Sequence, residues 1–488
     1  MSPPSGGPDS RNVADWRVAG SSVDGMASTS PGYSIIIRAH VSPAVHASGA
    51  VVSAIARAGA VVTALDMVDP TPGRVTLDIS CDARDSEHVN SIRAALDALD
   101  GCEVDKVSDR TFLTHIGGKL EVHVKVPLRN RDDLARAYTP GVARVCMAIY
   151  NKPETVRNLT IKRNTVAVVT DGTAVLGLGD IGPMAAMPVM EGKAALFKKF
   201  ADVDAWPICL DTTDVDEIVR TVQLIAPGFG GINLEDIAAP RCFEVEARLR
   251  ELLDIPVFHD DQHGTAIVVV AALKNALRIT GQPIETLKVV MVGAGAAGHA
   301  VAHLLHLSGV RDITMFDSKG AIHAGRTDLD PFKQQLTAWT NPRGLTGSLK
   351  ESIAGADMFV GLSAPNLLNG DDIAKMSDRA IVFALANPDP EVDPIEAAKH
   401  AKVVATGRSD YPNQINNVLA FPGIFRGLLD AHAHKITDDA LLAAADAIAG
   451  CVSDDELSAV YIVPSVFHPE IGKRVATAVK NAVGVTRI

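Results

Sequence analysis

The sequence predicts an α/β protein with two parallel-sheet units behind a smaller module of strands and helices. Two observations support this prediction. From residue 131 to 256, apolar strand patterns alternate with helical patterns, and from residue 287 an apolar strand runs into a glycine-rich turn and a helix. The chain has 488 residues, 47% of them hydrophobic, which is enough for about three domains with cores of their own.

The ends and the composition exclude several classes of protein. Residues 1–32 are rich in Ser, Gly and Pro without the pattern of a signal peptide, so we expect a disordered tail. Apolar stretches such as 266–273 are too short to span a bilayer, and no transmembrane helix is expected. The six cysteines form no Cys-x-x-Cys pair, which favours free thiols in a cytoplasmic protein. A net charge of −12 without a basic cluster argues against nucleic acid as a partner.

Residues 33–108 repeat a strand and helix pattern. Strands are predicted at 34–38, 59–65, 74–80 and 103–107, with helices at 47–58 and 86–99. This βαββαβ order resembles the ACT domain, a ferredoxin-like module that commonly binds amino acids for regulation. Because the resemblance rests on pattern and not on a motif, a regulatory module and a structural or dimer-forming module both stay open.

Residues 109–259 are predicted to form an α/β substrate domain. It contains a buried strand at 165–170, a glycine-rich turn through residue 182, a helix at 192–200, a strand at 205–210 and a helix at 215–225. Acidic doublets at 235–236 and 260–261 stand at turns, where side chains reach a cleft. Several carboxylates suit Mg²⁺ or Mn²⁺, although helix capping and solvated charge explain the same spacing equally well.

Residues 260–430 are predicted to form a Rossmann-type NAD(P)-binding domain. A strand at 287–292, a helix at 297–308 and a strand at 312–316 enclose the expected cofactor-binding residues, which are Gly293, Gly295, Ala296, Ala297 and Gly298. Asp317 follows the second strand, can accept hydrogen bonds from the ribose hydroxyls and favours NAD. Lys319 could receive the 2′-phosphate of NADP, which therefore stays open. Strands at 358–360, 380–385 and 403–406 extend the sheet, and residues 431–488 are expected to form helices that pack on the substrate domain.

Several longer motifs in residues 131–430 resemble the malic enzymes, the metal-dependent oxidative decarboxylases of L-malate. In chain order, the matching stretches are 137–143, 169–182, 191–194, 232–236, 258–265, 386–388, 415–418 and 421–423. Their number and order make the resemblance specific. An ACT-like module ahead of a compact catalytic part resembles the smaller bacterial members of the family.

The resemblance assigns the proton-transfer roles to three residues. Lys193 matches the general base, and this role requires burial or a nearby metal to lower its pKa. Tyr138 matches the general acid, acting in its own active site or in a neighbour's. Asp260 lies beside the catalytic lysine in the family motif and is expected to assist it.

The resemblance also implies binding residues. The metal ligands are expected to be Glu235, Asp236 and Asp261, while Asn387 is expected to face substrate and nicotinamide and Asn417 to face substrate. Larger members of the family bind the substrate carboxylate with an arginine where this chain has residues 174–175. Carboxylate recognition is therefore expected from the turn at 177–182, Asn417, Lys193 or another subunit.

The function implied by the resemblance is oxidative decarboxylation of (S)-malate to pyruvate and CO₂, with NAD or NADP and Mg²⁺ or Mn²⁺. A homodimer or larger homo-oligomer is expected, with an amino acid or another metabolite as the candidate effector of the ACT-like module. Two alternatives stay open. One is malolactic conversion of malate to lactate, and the other is a non-catalytic sensor in which the ACT-like and dinucleotide modules bind ligands.

Overall fold

The computed structural model describes residues 29–42, 47–71, 74–175 and 177–484. These residues form two compact units, divided between Gly118 and Lys119. Most of the expected tail, residues 1–28, lies outside the described residues. The last part of it belongs to the first unit, because the Ser30 amide donates to the Ala83 carbonyl at 3.0 Å.

The first unit is an antiparallel four-stranded sheet with two main helices. Its strands are β1 (Ser34–Val41), β2 (Val61–Thr71), β3 (Arg74–Asp82) and β4 (Cys102–Asp109), and its helices are α1 (Ala47–Arg57), α2 (Ser86–Asp97) and α3 (Arg110–His115). The strand order is β2-β3-β1-β4, which is the ferredoxin-like arrangement. Alternate side chains of β1 and β3 form its core, since Ile35, Ile37, Leu77 and Ile79 are all buried. The unit reaches residue 118, ten residues beyond the expected boundary at 108, because α3 follows β4 directly.

The second unit contains two parallel sheets. The smaller has the order β6-β5-β7-β8 and consists of β5 (Thr165–Thr170), β6 (Asp204–Cys209), β7 (Gly231–Leu234) and β8 (Val257–His259). The larger has the order β11-β10-β9-β12-β13-β14 and consists of β9 (Lys288–Val292), β10 (Asp312–Asp317), β11 (Gly320–Ala321), β12 (Met358–Gly361), β13 (Ile381–Ala384) and β14 (Val403–Thr406). Only β11 is antiparallel to its neighbour. The predicted α/β class with a Rossmann-type sheet is confirmed, and its strand order reverses direction between β9 and β12.

Helices cover both sheets of the second unit. They are α4 (Arg131–Ala137), α5 (Val142–Asn151), α6 (Val156–Leu159), α7 (Gly182–Ala201), α8 (Val215–Ile225), α9 (Arg241–Leu252), α10 (Thr265–Thr280), α11 (Ala296–Leu307), α12 (Pro331–Leu336), α13 (Leu349–Ser352), α14 (Gly370–Ile373), α15 (Pro394–Ala397), α16 (Phe421–Ala431), α17 (Asp438–Ala449) and α18 (Ile471–Val483). Short 3₁₀ helices include Ile161–Arg163, Ala226–Gly228 and Asn417–Leu419. No helix in the described part combines the length and the apolar character needed to cross a bilayer.

Helix α7 is longer than the sequence predicts. It begins at Gly182, ten residues before the expected start at residue 192, and contains Pro188. The glycine-rich turn through residue 182 left residues 183–191 without a predicted helix, and a proline inside a helix removes one helical hydrogen bond. In the fold, Pro188 lies on the exposed face, while Met190 and Lys193 point into the protein.

Helices α7, α10 and α16 bring the two sheets of the second unit together. Helix α10 is buried along most of its length and connects β8 of the smaller sheet to the larger sheet. Phe197 of α7 packs edge-to-face against Phe421 and Phe425 of α16, with ring centroids 4.8 and 5.3 Å apart. Phe200 of α7 also lies beside Phe467, with ring centroids 6.0 Å apart, so the C-terminal segment contacts a helix of the expected substrate domain.

Candidate active site

The carboxyl ends of three adjacent strands carry the acidic residues. Asp171 follows β5, the doublet 235–236 follows β7, and the doublet 260–261 follows β8. Because these strands are neighbours and parallel, their carboxyl ends meet at one edge of the sheet, which is where ligands of open α/β sheets bind.

Three carboxylates converge at this edge. Glu235, Asp236 and Asp261 each place one oxygen within 4.8 Å of the other two. The Asp236 amide donates to Asp261 Oδ2 at 2.9 Å and joins the two turns, and Asp236 itself has a left-handed backbone with φ of 54°. The structure thus brings together the three residues expected to bind a metal.

The electrostatics of this cluster fit a divalent cation. Burial, together with the charge of Asp261, raises the pKa of Asp236 to about 7, and burial raises the pKa of Glu235 well above its usual range. Asp236 Oδ2 is buried and has no hydrogen-bond partner among the residues that the structure describes. Three carboxylates that repel one another, with an unsatisfied oxygen among them, match the oxygen ligands that Mg²⁺ and Mn²⁺ take in proteins.

Lys193 connects this cluster to Asp260. Its Nζ lies 2.6 Å from Asp260 Oδ2 and 2.9 Å from Glu235 Oε1, and 4.2 Å from the centre of the Phe421 ring. Burial lowers the pKa of Lys193, but the charges and hydrogen bonds of the two carboxylates outweigh burial and raise it. The lowered pKa that was expected for Lys193 is therefore not found while both carboxylates hold its ammonium group. The sequence indicated the burial of Lys193 but not its ion pairs with two carboxylates.

Asp260 also binds Asn417. Asp260 is completely buried, and its Oδ2 accepts hydrogen bonds from Lys193 and from the side-chain amide of Asn417. Asn417 was expected to face substrate, and in the structure one of its amide hydrogens is directed to Asp260 instead. The side chains of 193, 260 and 417 form one hydrogen-bonded group.

Gly264 makes room for this group. A Cβ at Gly264 would overlap Asp260 Oδ1 and come within 3.0 Å of the Asn417 Cβ. Gly264 lies in the stretch 258–265 that resembles the malic enzymes, but the resemblance assigns it no role. Its contact with residue 417 crosses more than 150 positions of sequence, so no local pattern could reveal it.

Substitution of Gly264 by alanine should displace Asp260 and lower kcat for the reaction proposed below by about 100-fold, since a shift of roughly 1 Å at such a site has that effect. Steady-state kinetics should show this loss. Gly228→Ala is the control, because a Cβ at Gly228 meets no atom of the described residues within 4 Å. Unchanged turnover in the Gly264 variant would mean that the position of Asp260 does not matter.

Tyr138 is not part of the cluster. It caps the C-terminal end of α4, is 69% exposed and forms no hydrogen bond with Lys193 or Asp260. The neighbouring helix α5 has no buried residue, although it carries apolar side chains such as Met147 and Tyr150. The structure therefore does not bring the expected general acid to the expected general base within one chain.

Arg241 is a cation near this edge that the sequence analysis missed. Its Nη2 donates to Asp171 Oδ2 at 3.1 Å and to Thr173 Oγ1 at 2.9 Å, and its buried Nε has no hydrogen-bond partner in the described part of the chain. An arginine beside the glycine-rich turn is a further candidate for carboxylate recognition. In the sequence, Arg241 is a single arginine after a turn. Such a residue cannot be distinguished from a surface arginine by sequence alone.

The glycine-rich turn after β9 has the geometry expected of a dinucleotide-binding turn. Gly293 has φ of 102°, and a Cβ there would collide with the Leu362 carbonyl group. A Cβ at Gly298 would overlap the Gly293 carbonyl, whereas the space beside Gly295 is open. Helix α11 begins at Ala296, so Ala296 and Ala297 form the helix N-terminus, where a phosphate group binds most readily.

Asp317 ends β10 and is held by an arginine. Arg326 donates Nη1 to Asp317 Oδ1 at 2.7 Å and Nη2 to Oδ2 at 3.1 Å, and Lys333 Nζ lies 3.4 Å from Oδ2. Burial raises the pKa of Asp317, but the hydrogen bonds and charge of Arg326 outweigh burial and lower it. Lys319, expected to serve a 2′-phosphate, pairs with Asp328 at 2.9 Å.

Asn387 follows β13 and lies near the glycine-rich turn of the smaller sheet. A Cβ at Gly177 would lie 4.0 Å from the Asn387 carbonyl oxygen and 3.9 Å from Pro388 Cδ. The expected nicotinamide-facing residue is thus located where the two sheets of the second unit meet.

Comparisons with known proteins agree with this geometry. A family model described as "Malic enzyme, N-terminal domain" matches residues 117–250, and one described as "Malic enzyme, NAD binding domain" matches residues 262–483. The NAD-dependent malic enzyme of Geobacillus stearothermophilus is 57% identical over 88% of this chain and 90% of its own length. The bifunctional malic/malolactic enzyme of Bacillus subtilis is 56% identical over 76% of this chain and 92% of its own. The crystal structure of the NAD-dependent malic enzyme of Thermotoga maritima aligns with a TM-score of 0.74 and 47% identity, covering 77% of this chain and 100% of that one.

Proposed function

Because the chain belongs to the malic enzyme family, we propose that it oxidatively decarboxylates (S)-malate to pyruvate and CO₂, with NAD or NADP as the hydride acceptor. The observation that carries the proposal is the contact of Lys193 with both Asp260 and Glu235, beside three converging carboxylates. Malate-dependent formation of NADH in the presence of Mn²⁺ tests it. Absence of turnover with tight binding of ligands would favour a non-catalytic sensor.

The carboxylates of Glu235, Asp236 and Asp261 are the proposed ligands of Mg²⁺ or Mn²⁺. A cation bound there would supply a Lewis acid at the C2 oxygen of the substrate during oxidation and decarboxylation. The fit of these carboxylates to a divalent cation rests on the unpartnered Asp236 Oδ2 and on the convergence of the three side chains.

Lys193 is the proposed general base for the C2 hydroxyl. Asp260 orients its Nζ and is itself fixed by Asn417, so the ammonium has one position near the substrate site. Asp260 and Glu235 hold the pKa of Lys193 high, and a Glu235 that shares its charge with a cation would hold it less strongly. Lys193 would then reach its neutral amine form, and as C2 is oxidised this amine receives the hydroxyl proton and becomes the ammonium again.

Tyr138 is proposed to protonate C3 in the active site of a second copy of the chain. Its exposure and the apolar, unburied face of α5 support this arrangement. Mixing inactive Lys193→Ala and Tyr138→Phe proteins, with exchange of subunits, should restore part of the activity. If the two residues act within one chain, the mixture should stay inactive, because every subunit then lacks one of them.

Arg326 is proposed to set the cofactor preference together with Asp317. By neutralising Asp317, it reduces the repulsion of a 2′-phosphate. Arg326→Gln should weaken NADPH binding about tenfold more than NADH binding, as the loss of one charged hydrogen bond predicts. Fluorescence titrations measure both affinities, and Arg343→Gln is the control because Arg343 pairs with Asp312 at the opposite end of β10. An equal change in both affinities would exclude this role.

Malolactic conversion is the second candidate, because one relative is named as a bifunctional malic/malolactic enzyme. Lactate formed from malate without release of NADH would identify it.

For the first unit we propose binding of an amino acid or another metabolite, on the basis of its ferredoxin-like strand order. Thermal-shift measurements with single amino acids test this regulatory role, and activity assays with any stabilising compound follow.

A further inference from the structure

A buried arginine without a partner lies away from the candidate active site. Arg157, in α6, is 9% exposed. Within the described part of the chain, its guanidinium has no hydrogen bond and no ion pair. A guanidinium keeps its charge at any physiological pH, and the nitrogens of Arg157 face the cavity and not an acceptor among the described residues. This residue therefore offers a partner to an anion in the cavity.

Arg157 lines a cavity of about 720 Å³. This volume lies within the range of small-molecule sites, which is about 300–1,000 Å³. One wall is apolar and is formed by Ile149, Val156, Leu252 and Leu253. The cavity therefore offers one buried positive charge and a hydrophobic surface beside it.

The cavity lies at the opposite end of the smaller sheet from the candidate active site. Its lining includes Lys162, Pro227 and Asp254, which precede β5, β7 and β8, respectively. The active-site carboxylates follow the same strands. Since β5 has six residues at about 3.3 Å each, roughly 20 Å separate the two ends. A ligand in this cavity would not overlap the proposed malate site.

Of the arginine and the lysine that line this cavity, Arg157 is the one available to bind an anion. Lys162 Nζ already donates to the carbonyls of Ala226, Pro227 and Phe229, at 3.1, 3.1 and 2.7 Å. Burial lowers the pKa of Arg157, and the charge of Asp254 opposes this without forming an ion pair. Asp254 and Glu154 are both exposed, and Glu154 lies 3.6 Å from Lys152 Nζ, so neither carboxylate of the lining forms an ion pair with Arg157.

We propose that this cavity binds a small amphiphilic carboxylate, whose oxygens pair with the Arg157 guanidinium and whose apolar chain packs on Ile149, Leu252 and Leu253. The planar guanidinium matches a carboxylate through two parallel hydrogen bonds. The apolar wall favours a ligand with a short hydrocarbon chain over a fully polar anion.

Isothermal titration of the full chain with hexanoate tests the proposal, with hexanol and inorganic phosphate as probes that lack the charge or the apolar chain. Hexanoate should bind most tightly, and saturating malate with Mn²⁺ should leave its affinity unchanged. Arg157→Gln should weaken hexanoate binding at least about tenfold, as the loss of a charged hydrogen-bonding partner predicts. Arg163→Gln, at an exposed neighbouring arginine, should leave it unchanged.

A second variant covers the case in which Arg157→Gln does not fold. Ile149→Trp, on the half-buried apolar wall, should narrow the cavity along that wall and weaken hexanoate binding while Arg157 stays in place. Unchanged hexanoate affinity in either folded variant would overturn the proposal. Equal affinity for hexanol and hexanoate would also overturn it, because the charge of Arg157 would then play no part.

Discussion

Replacement of Lys193 by arginine should lower kcat for malate oxidation by about 10²–10⁴-fold, the usual contribution of a general base. Arginine keeps the positive charge between Asp260 and Glu235, so the buried carboxylates stay compensated, but it does not accept a proton at neutral pH. Steady-state kinetics measure the loss, and circular dichroism reports on folding.

Two comparisons make the Lys193 result specific. Lys199→Arg, at an exposed lysine of the same helix, should keep full turnover. Lys193→Ala should be less stable than Lys193→Arg, because it leaves Asp260 and Glu235 buried without a cation, a change that costs about 3–5 kcal/mol in comparable pairs. Full turnover of Lys193→Arg would remove the lysine from the mechanism.

Asp236→Asn should weaken Mn²⁺ binding by more than about 100-fold, since the loss of even an outer partner of a metal ligand costs about 10–100-fold. Titration of the protein with Mn²⁺, followed by electron paramagnetic resonance of the free ion, measures the affinity. Asp216→Asn is the matched control, because Asp216 is 83% exposed and pairs with Arg248 at the surface. Equal affinity in the Asp236 variant and the native protein would exclude this carboxylate as a ligand.

In the absence of metal, Asp236→Asn should stabilise the folded protein at alkaline pH. The pKa of Asp236 is about 7, against an ordinary value of 3.8, so between these pH values the folded chain holds a proton that the unfolded chain has lost. The free energy of unfolding therefore falls as pH rises through this window. At pH 8 with a chelator, Asp236→Asn should melt a few degrees above the native protein, and added Mn²⁺ should raise the melting temperature of the native protein alone.

The local patterns of the sequence predicted most elements well. Helix α8 has the expected bounds, and the Asp214 side chain accepts from the Glu217 amide as its N-cap. Strand β14 also has the expected bounds. Helix α7 was predicted too short, because the glycine-rich turn through residue 182 hid its true start at Gly182.

The residues of the candidate active site could be predicted from the sequence where they belong to a long motif. The three converging carboxylates and Lys193 were named from the family resemblance, which the family comparisons confirm. Arg326 and Gly264 were missed because their roles depend on contacts that no periodicity reports. Arg326 reaches Asp317 from a loop after the two-residue strand β11, and Gly264 is constrained by a residue far along the chain.

The exposure of Tyr138 could not be foreseen for a similar reason. The motif indicates the residue type but not the chain in whose active site Tyr138 acts. Most residues of α4 and α5 are not buried within a single chain. Arg157 gave no sequence signal either, because a single arginine in a short helix is usually solvated.

The most direct test of the central claim is a count of products from (S)-malate with Mn²⁺ and NAD. We expect pyruvate, CO₂ and reduced cofactor in equal amounts, with formation of all three abolished by a chelator and strongly reduced in Lys193→Arg. Reduced cofactor without CO₂, or lactate without reduced cofactor, would contradict oxidative decarboxylation at this site.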